Sequence, residues 1–147
     1  MPKVLIAEDD LMIADMIEEV LVAHGYEVCG IARTVAQAVA LSRLCKPDLA
    51  IIDLRLADGR LGTEIAAQLG PLDRPGVLYA TGNIAQVILT STDGDACLVK
   101  PYRTIDLVRS LEIVAEIAAT GTASPPFPRG LQILPSASAA HGETTIG

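Results

Sequence analysis

The sequence predicts an α/β fold, with a five-stranded parallel sheet covered by helices on both faces. Short apolar runs alternate with amphipathic stretches along the chain, which is the pattern of repeated strand–helix units. The apolar runs are continuous, as in strands buried on both faces. Half of the 147 residues are hydrophobic, which is enough for one domain with a full core. That core must be mostly aliphatic, because the chain has one Phe, three Tyr and no Trp.

The first half of the chain is predicted to contain three strands and two helices. Thr34 is expected to cap the second helix, and Gly25 stands where a helix commonly ends. The predicted strands are Lys3 to Ala7, Tyr26 to Ala32 and Leu49 to Ile52, and the predicted helices are Leu11 to Ala23 and Val35 to Leu44.

The second half is predicted to continue the alternation. A weakly helical stretch is expected between the fourth and fifth strands, and Thr104 is expected to cap the last helix. The predicted strands are Gly76 to Ala80 and Ala96 to Val99, and the predicted helices are Leu61 to Leu69, Ile84 to Leu89 and Ile105 to Ala119.

Polar side chains follow four of the predicted strands at the point where each strand ends. Glu8 and Asp9 follow the first strand, Asp53 the third, Thr81 the fourth and Lys100 the fifth. Because the carboxyl ends of parallel strands share one edge of the sheet, these side chains are expected to meet. Crowded carboxylates repel unless a cation joins them, and Mg²⁺ fits such a site. An Asp beside a metal, an ammonium and a hydroxyl is a candidate phosphoryl acceptor.

In this order and at these spacings, the motifs resemble the receiver domain of two-component response regulators, over about residues 2–118. The resemblance implies a flavodoxin-like fold with strand order 2-1-3-4-5. It also implies that Asp53 accepts a phosphoryl group from the phosphohistidine of a sensor histidine kinase or phosphotransfer protein. Lys100 would contact that group and Thr81 would move towards it as the switch. The Lys100–Pro101 peptide bond is expected to be cis.

The resemblance further implies a Mg²⁺ site. Its ligands would be the carboxylates of Glu8, Asp9 and Asp53 and the backbone carbonyl of Arg55. Asp10, next to this set, is predicted to cap the first helix or to place a charge in its first turn, where an acidic side chain is favourable.

The sequence departs from the family pattern in two places, at Cys97 and at the end of the segment Tyr79–Asn83. Cys97 stands three residues before Lys100, where the family usually has an aromatic residue that is coupled to the switch. Arg55 and Asn83 occupy places that tune phosphate lifetime in the family. The segment Tyr79–Asn83 resembles the Phe-Ala-Thr-Gly-Tyr motif of stand-alone receivers from alphaproteobacteria, without its final aromatic residue.

These observations predict a single-domain response regulator without an output domain, which is not an enzyme and signals by protein contact. Two alternatives stay open. A pseudo-receiver would serve only as a dimerisation scaffold. An aspartyl-phosphate hydrolase of the haloacid dehalogenase type would need a second Asp two residues after the acceptor, where this chain has Arg55.

Composition restricts the partners and the location. A net charge of −7 and a pI near 4.7 argue against a nucleic-acid surface, which needs a basic stripe. The N-terminus does not resemble a signal peptide, and no apolar run reaches the ~20 residues that span a bilayer. A cytoplasmic protein is therefore expected, with no membrane partner. Cys29, Cys45 and Cys97 are expected to be buried free thiols in a reducing compartment.

The composition changes near residue 121, which predicts a receiver domain at 1–120 and a Pro/Ser/Ala-rich arm at 121–147. Leu131–Ile133 alternates like a short strand. The arm could pack on its own domain, or on a second copy in a two-fold homodimer. Ile113 and Ile117 on the last helix are predicted to face away from the core as part of a partner surface. The apolar residues of the arm that are expected to be buried are Phe127, Leu131, Ile133 and Leu134.

Overall fold

The computed structural model describes residues 1–82 and 89–136. The predicted strands are present and agree with the observed bounds to within one residue, and the described helices agree to within two. Within the described ranges, none of the helices has the length and hydropathy needed to span a membrane. The elements are β1 (Lys3–Ala7), α1 (Leu11–Ala23), β2 (Glu27–Ala32), α2 (Val35–Cys45), β3 (Leu49–Asp53), α3 (Thr63–Leu69), β4 (Gly76–Thr81), β5 (Ala96–Val99), α4 (Thr104–Thr120) and β6 (Leu131–Ile133).

The strands form one sheet in the order β2-β1-β3-β4-β5-β6. The first five are parallel, which confirms the predicted fold class and the order 2-1-3-4-5. β6 is an addition that runs antiparallel to β5, with Leu131 opposite Leu98. The carboxyl ends of β1, β3, β4 and β5 therefore share one edge of the sheet.

The central strands bury both faces because their residues alternate between two core groups. In β1, Leu5 and Ala7 pack in a group that includes residues of α2 and α3. Val4 and Ile6 pack in the other group, with residues of α1 and α4. Each buried Val, Leu or Ile side chain of this kind contributes about 1.5–3 kcal/mol. This two-sided burial explains the continuous apolar runs of the sequence.

The helix caps follow the sequence in part. Asp10 caps α1 by accepting hydrogen bonds from the amides of Met12 and Ile13, as predicted. Thr34 caps α2. The expectation for Thr104 is wrong: the cap position of α4 is Arg103, which makes no side-chain cap hydrogen bond. Asn83 and the predicted helix Ile84 to Leu89, apart from Leu89 itself, lie outside the described residues.

The C-terminal arm packs on its own domain in this single chain, as one of the two alternatives proposed. The predicted strand at Leu131–Ile133 is present as β6. Leu134 is buried in the core, and its amide donates to the carbonyl of Asp95 at 3.1 Å. Phe127 and Ile133, however, are 49% and 42% exposed, so the expectation that they are buried is wrong. β6 is the outermost strand, and Phe127 lies in an open cleft beside α4.

The expectation for Ile113 and Ile117 is also wrong, since Ile113 is fully buried and Ile117 is half-buried. The arm runs along this side of α4. Arg109, one turn before Ile113, donates hydrogen bonds to the carbonyls of Ser124 at 2.7 Å and Pro126 at 2.9 Å. The pattern of the helix alone could not reveal where the arm lies, because the arm is a later segment of the chain.

The cysteines require a correction. Cys29 and Cys45 form a disulfide bond, whereas Cys97 is a buried free thiol as predicted. The two bridged residues are 16 positions apart, a spacing that belongs to no sequence motif, and the packing of α2 on β2 brings their Cα atoms to 6.2 Å. The argument from unpaired cysteines to a reducing compartment therefore does not hold.

Candidate functional site

Three carboxylates meet at the carboxyl ends of β1 and β3. Glu8 and Asp9 directly follow β1, and Asp53 is the last residue of the neighbouring strand β3. One oxygen from each of the three lies within 4.8 Å of the others. Glu8 is only 3% exposed, whereas Asp9 and Asp53 are half-buried. This set of hard oxygen donors suits a divalent cation such as Mg²⁺.

Lys100 extends from the end of β5 into the same site. Its Nζ lies 3.5 Å from Oε1 of Glu8 and 3.5 Å from Oδ2 of Asp53. The ammonium offsets part of the repulsion between the carboxylates. One ammonium beside three carboxylates leaves the site net negative, which favours a further cation.

The environment of Glu8 raises the cost of its negative charge. Burial raises the pKa of Glu8 to about 7, against the lowering effect of the Asp10 amide, which donates to Oε2 at 3.2 Å. The nearby Asp53 carboxylate raises the pKa further, and Lys100 lowers it. A cation bound here would favour the charged form of Glu8 and so compensate for its burial.

Two further predicted site residues lie at the same edge. Thr81 ends β4 and is 7% exposed, and its carbonyl accepts a hydrogen bond of 2.7 Å from the Lys100 amide. The amide of Arg55 donates to Oδ1 of Asp53 at 3.3 Å. The Lys100–Pro101 bond is cis, as predicted. The structure thus brings the predicted set together, while the roles of its members stay predictions.

Sequence reasoning missed Gly62. Its amide donates to the carbonyl of Leu54 at 2.7 Å, which holds the loop before α3 against the end of β3. A Cβ at position 62 would collide with the carbonyl oxygen of Asp53. Only glycine therefore fits this close approach. The sequence feature that could have indicated Gly62 is its place as a second glycine soon after the turn at Gly59.

Tyr102 was also missed, although it follows Lys100 by only two residues. It packs partly against the core group that includes residues of α1 and α4. Burial raises the pKa of Tyr102 to about 12, and the carboxylates of Glu8 and Asp53 contribute to the increase. Its hydroxyl therefore stays protonated at neutral pH, beside the acidic cluster.

Cys97 stands where the family usually has an aromatic residue, and the aromatic ring beside it comes from the adjacent strand. Tyr79 of β4 pairs in register with Cys97 of β5, and both are fully buried in the same core group. The Tyr79 hydroxyl donates to the carbonyl of Asp93 at 2.6 Å. A small thiol at position 97 therefore packs beside a large fixed ring.

The sequence matches the family model of the response regulator receiver domain over residues 4–112. The chain belongs to this family. The match runs from β1 into α4 and ends before the arm. The acidic edge described above is therefore part of a receiver domain, and the arm lies outside the matched region.

Curated relatives are longer than this receiver domain. The chain is 33% identical over 114 residues to the transcriptional regulatory protein PdtaR of Mycobacterium tuberculosis, which covers 76% of the chain and 55% of that protein. It is 30% identical over 103 residues to the phyllosphere-induced regulator PhyR of Methylorubrum extorquens, which covers 69% of the chain and 39% of that protein. The chain thus spans about half, or less, of the length of these relatives.

Solved structures of response regulators and their receiver domains resemble most of this chain. A CheY-like response regulator receiver domain protein from Methanospirillum hungatei has a TM-score of 0.72 and 27% identity, covering 82% of the chain and 98% of that structure. The anti-anti-sigma factor PhyR from Bartonella quintana has a TM-score of 0.66 and 30% identity, covering 82% and 49%.

Proposed function

We propose that this receiver domain is a single-domain response regulator that accepts a phosphoryl group on Asp53. The donor would be the phosphohistidine of a sensor histidine kinase or phosphotransfer protein. A carboxylate oxygen of Asp53 attacks phosphorus, and a P–O bond forms as the P–N bond breaks. The released imidazole takes up a proton. The observation that carries this proposal is the cluster of Glu8, Asp9 and Asp53 with the Lys100 ammonium 3.5 Å from two of them.

The surrounding residues have separate roles in the proposal. The carboxylates of Glu8, Asp9 and Asp53 and the carbonyl of Arg55 would hold Mg²⁺, which supplies positive charge next to the phosphoryl oxygens. The ammonium of Lys100 binds a phosphoryl oxygen. The hydroxyl of Thr81 donates to another, and its displacement is the switch.

Two alternative functions are less well supported. A hydrolase of the haloacid dehalogenase type conflicts with the family match and with Arg55, which stands where the second Asp would be needed. A pseudo-receiver scaffold would not need the carboxylate–ammonium arrangement. We therefore propose a signalling switch that is not an enzyme.

The proposed output is protein contact in the cytoplasm. The net charge of −7 disfavours nucleic acid as a partner. One relative is called a transcriptional regulatory protein and another an anti-anti-sigma factor, but the chain covers only about half of each. A homodimer through exchange of the arm is a second assembly to be tested, although the single chain pairs the arm with its own β5.

Acetyl phosphate as a donor tests the proposal directly. The protein is incubated with acetyl phosphate and Mg²⁺ and the intact mass is measured. The wild type should gain one phosphoryl group, and Asp53→Asn should gain none. Asp58→Asn is the matched control, because Asp58 is an exposed carboxylate in the loop that follows Asp53. An adduct on Asp53→Asn at the wild-type level, or a wild-type adduct that is unaffected by EDTA, contradicts the proposal.

A further inference from the structure

The disulfide joins the edge of the sheet to the end of a helix. Cys29 lies in β2, the outermost strand on the side opposite β6, and Cys45 is the last residue of α2. Their Cα atoms are 6.2 Å apart. This distance is within the range that two cysteines can bridge without moving the backbone.

The backbone of β2 is irregular at Cys29. The register of β2 against β1 skips this residue, which is therefore the extra residue of a β-bulge. Val28 and Ile31, three residues apart, pack against the same core group, which a strand with a strict period of two does not allow. Cys29 directly follows Val28 and therefore points to the opposite face of the sheet, which is the face that α2 covers. The bulge changes the alternation only for the residues that follow Cys29.

α2 approaches β2 closely beside the bridge, and the helix ends directly after Cys45. A Cβ at Gly30 would lie 2.9 Å from Cδ2 of Leu41, so the Leu41 side chain packs directly against the backbone of β2. Lys46 ends the helix in the left-handed conformation, and its amide donates to the carbonyl of Ser42 at 2.8 Å. These contacts do not involve either sulfur atom.

The core holds α2 independently of the bridge. The α2 residues that are buried in the main core, Val35, Ala38 and Val39, lie in its first half, and Leu41 packs partly against the same core group. Loss of the bridge should therefore release only the last turn of the helix.

The two bridged cysteines are half-buried, so part of their surface is open to a reactant. Cys97 is fully buried, and burial raises the pKa of its thiol to about 11, which keeps it out of exchange.

We propose that Cys29 and Cys45 form a reversible redox site that reacts with dithiol reductants. A thiolate of the reductant attacks one Sγ, and the other cysteine leaves as a thiolate and takes up a proton. The second thiol of the reductant then displaces the first cysteine. Two electrons and two protons pass to the cysteine pair, and the reductant becomes a disulfide. This chemistry is independent of the phosphoryl transfer proposed for Asp53.

A redox titration of the full chain tests the site. The protein is equilibrated with mixtures of reduced and oxidised dithiothreitol, quenched, and alkylated without denaturant. We expect one transition in which two alkyl groups are added, at Cys29 and Cys45, while Cys97 stays unmodified. Hydrogen exchange of the reduced protein should be faster at residues 42–46, the last turn of α2, and unchanged in β1 and β3.

Two variants serve as controls. Cys29→Ser/Cys45→Ser should show no transition and should exchange hydrogen like the reduced wild type. Cys97→Ala should titrate like the wild type. Reduction only in denaturant that unfolds the chain, or faster exchange throughout the sheet after reduction, would show that the bridge is only structural. Three free thiols in the oxidised protein would also overturn the proposal.

Discussion

The ammonium nitrogen of Lys100 lies 3.5 Å from the carboxylate oxygen Oδ2 of Asp53. The same nitrogen lies 3.5 Å from Oε1 of the buried Glu8, so one cation contacts both carboxyl groups and offsets part of the repulsion between them. Removing the Lys100 ammonium and removing the Asp53 carboxylate should therefore change the free energy of unfolding in opposite directions.

In the absence of divalent ions, Asp53→Asn should stabilise the protein by about 1 kcal/mol, because it removes a negative charge beside Glu8. Lys100→Met should destabilise it by a similar amount. Urea denaturation in EDTA measures both. Adding Mg²⁺ should reduce the advantage of Asp53→Asn, because the ion stabilises the wild type by binding its folded state. A shift of the same sign in both variants would contradict this electrostatic account.

Gly62→Ala should displace the end of β3, because a Cβ at this position collides with the carbonyl oxygen of Asp53. The expected cost is about 1–3 kcal/mol in the free energy of unfolding, together with slower phosphorylation by acetyl phosphate. Gly82→Ala is the matched control, since a Cβ there meets no atom of the described residues within 4 Å. Equal phosphorylation rates in the two variants would remove Gly62 from the support of the site.

Cys97→Phe would restore the aromatic residue that the family usually has at this position, but it should destabilise this chain. Cys97 is fully buried beside the ring of Tyr79, so a second ring would overpack the core at a cost of about 1–3 kcal/mol. Cys97→Ala, which only removes volume, should cost less. Thermal denaturation of the three proteins decides the order, and a Phe variant as stable as the wild type would show that the space exists.

The Cys97 thiol should be unreactive at pH 8 in the native, oxidised protein. Burial raises its pKa to about 11, so only roughly one thousandth is thiolate at that pH, and the side chain is also inaccessible. Alkylation followed by mass spectrometry should show no modification until urea unfolds the chain. Because the pKa in the folded state is above that in the unfolded state, the charged form is disfavoured by folding. Rapid native labelling at pH 8 would argue for an open path to this residue.

Leu134→Ala should cost about 2–4 kcal/mol, because this side chain fills the core from the arm. Ile133→Ala, one residue earlier, should cost less than about 1 kcal/mol, because Ile133 is 42% exposed. Urea denaturation of both variants measures the difference. Equal costs would mean that the arm does not hold its observed position in solution.

Deletion of residues 121–147 should expose the edge of β5 and promote self-association, since an open strand edge can pair with another chain. Light scattering of the full-length and truncated proteins measures the outcome. A dimeric full-length protein that becomes monomeric on truncation would instead support exchange of the arm between two copies.

The fold and the acidic edge could be predicted because both follow from local pattern and simple topology. The run Leu49–Ile52 is apolar without interruption, which is typical of a strand buried on both faces, and its end places Asp53 at the shared edge. Lys100 reaches the same edge for the same reason. The positions of Asp53 and Lys100 at this edge follow from the strand pattern alone, without knowledge of any interatomic distance.

The parts that could not be predicted depend on contacts between distant segments. The Cys29–Cys45 bridge depends on the packing of the end of α2 against β2, and side-chain periodicity does not encode this contact between two segments. Ile113 is buried in α4, and the arm runs along this helix, which the pattern of the helix alone does not show. Gly62 is required by the backbone of Asp53, a close approach that composition cannot reveal.

The attachment of β6 to α4 through residues 121–130 has a consequence for binding at the β5 edge. A strand on a short tether of this kind is present at its pairing site at an effective concentration on the order of millimolar. A free peptide with the same backbone contacts would need a comparable concentration to compete. Partners that replace β6 must therefore gain affinity from contacts outside β5, which makes this edge selective even though backbone pairing itself carries no sequence specificity.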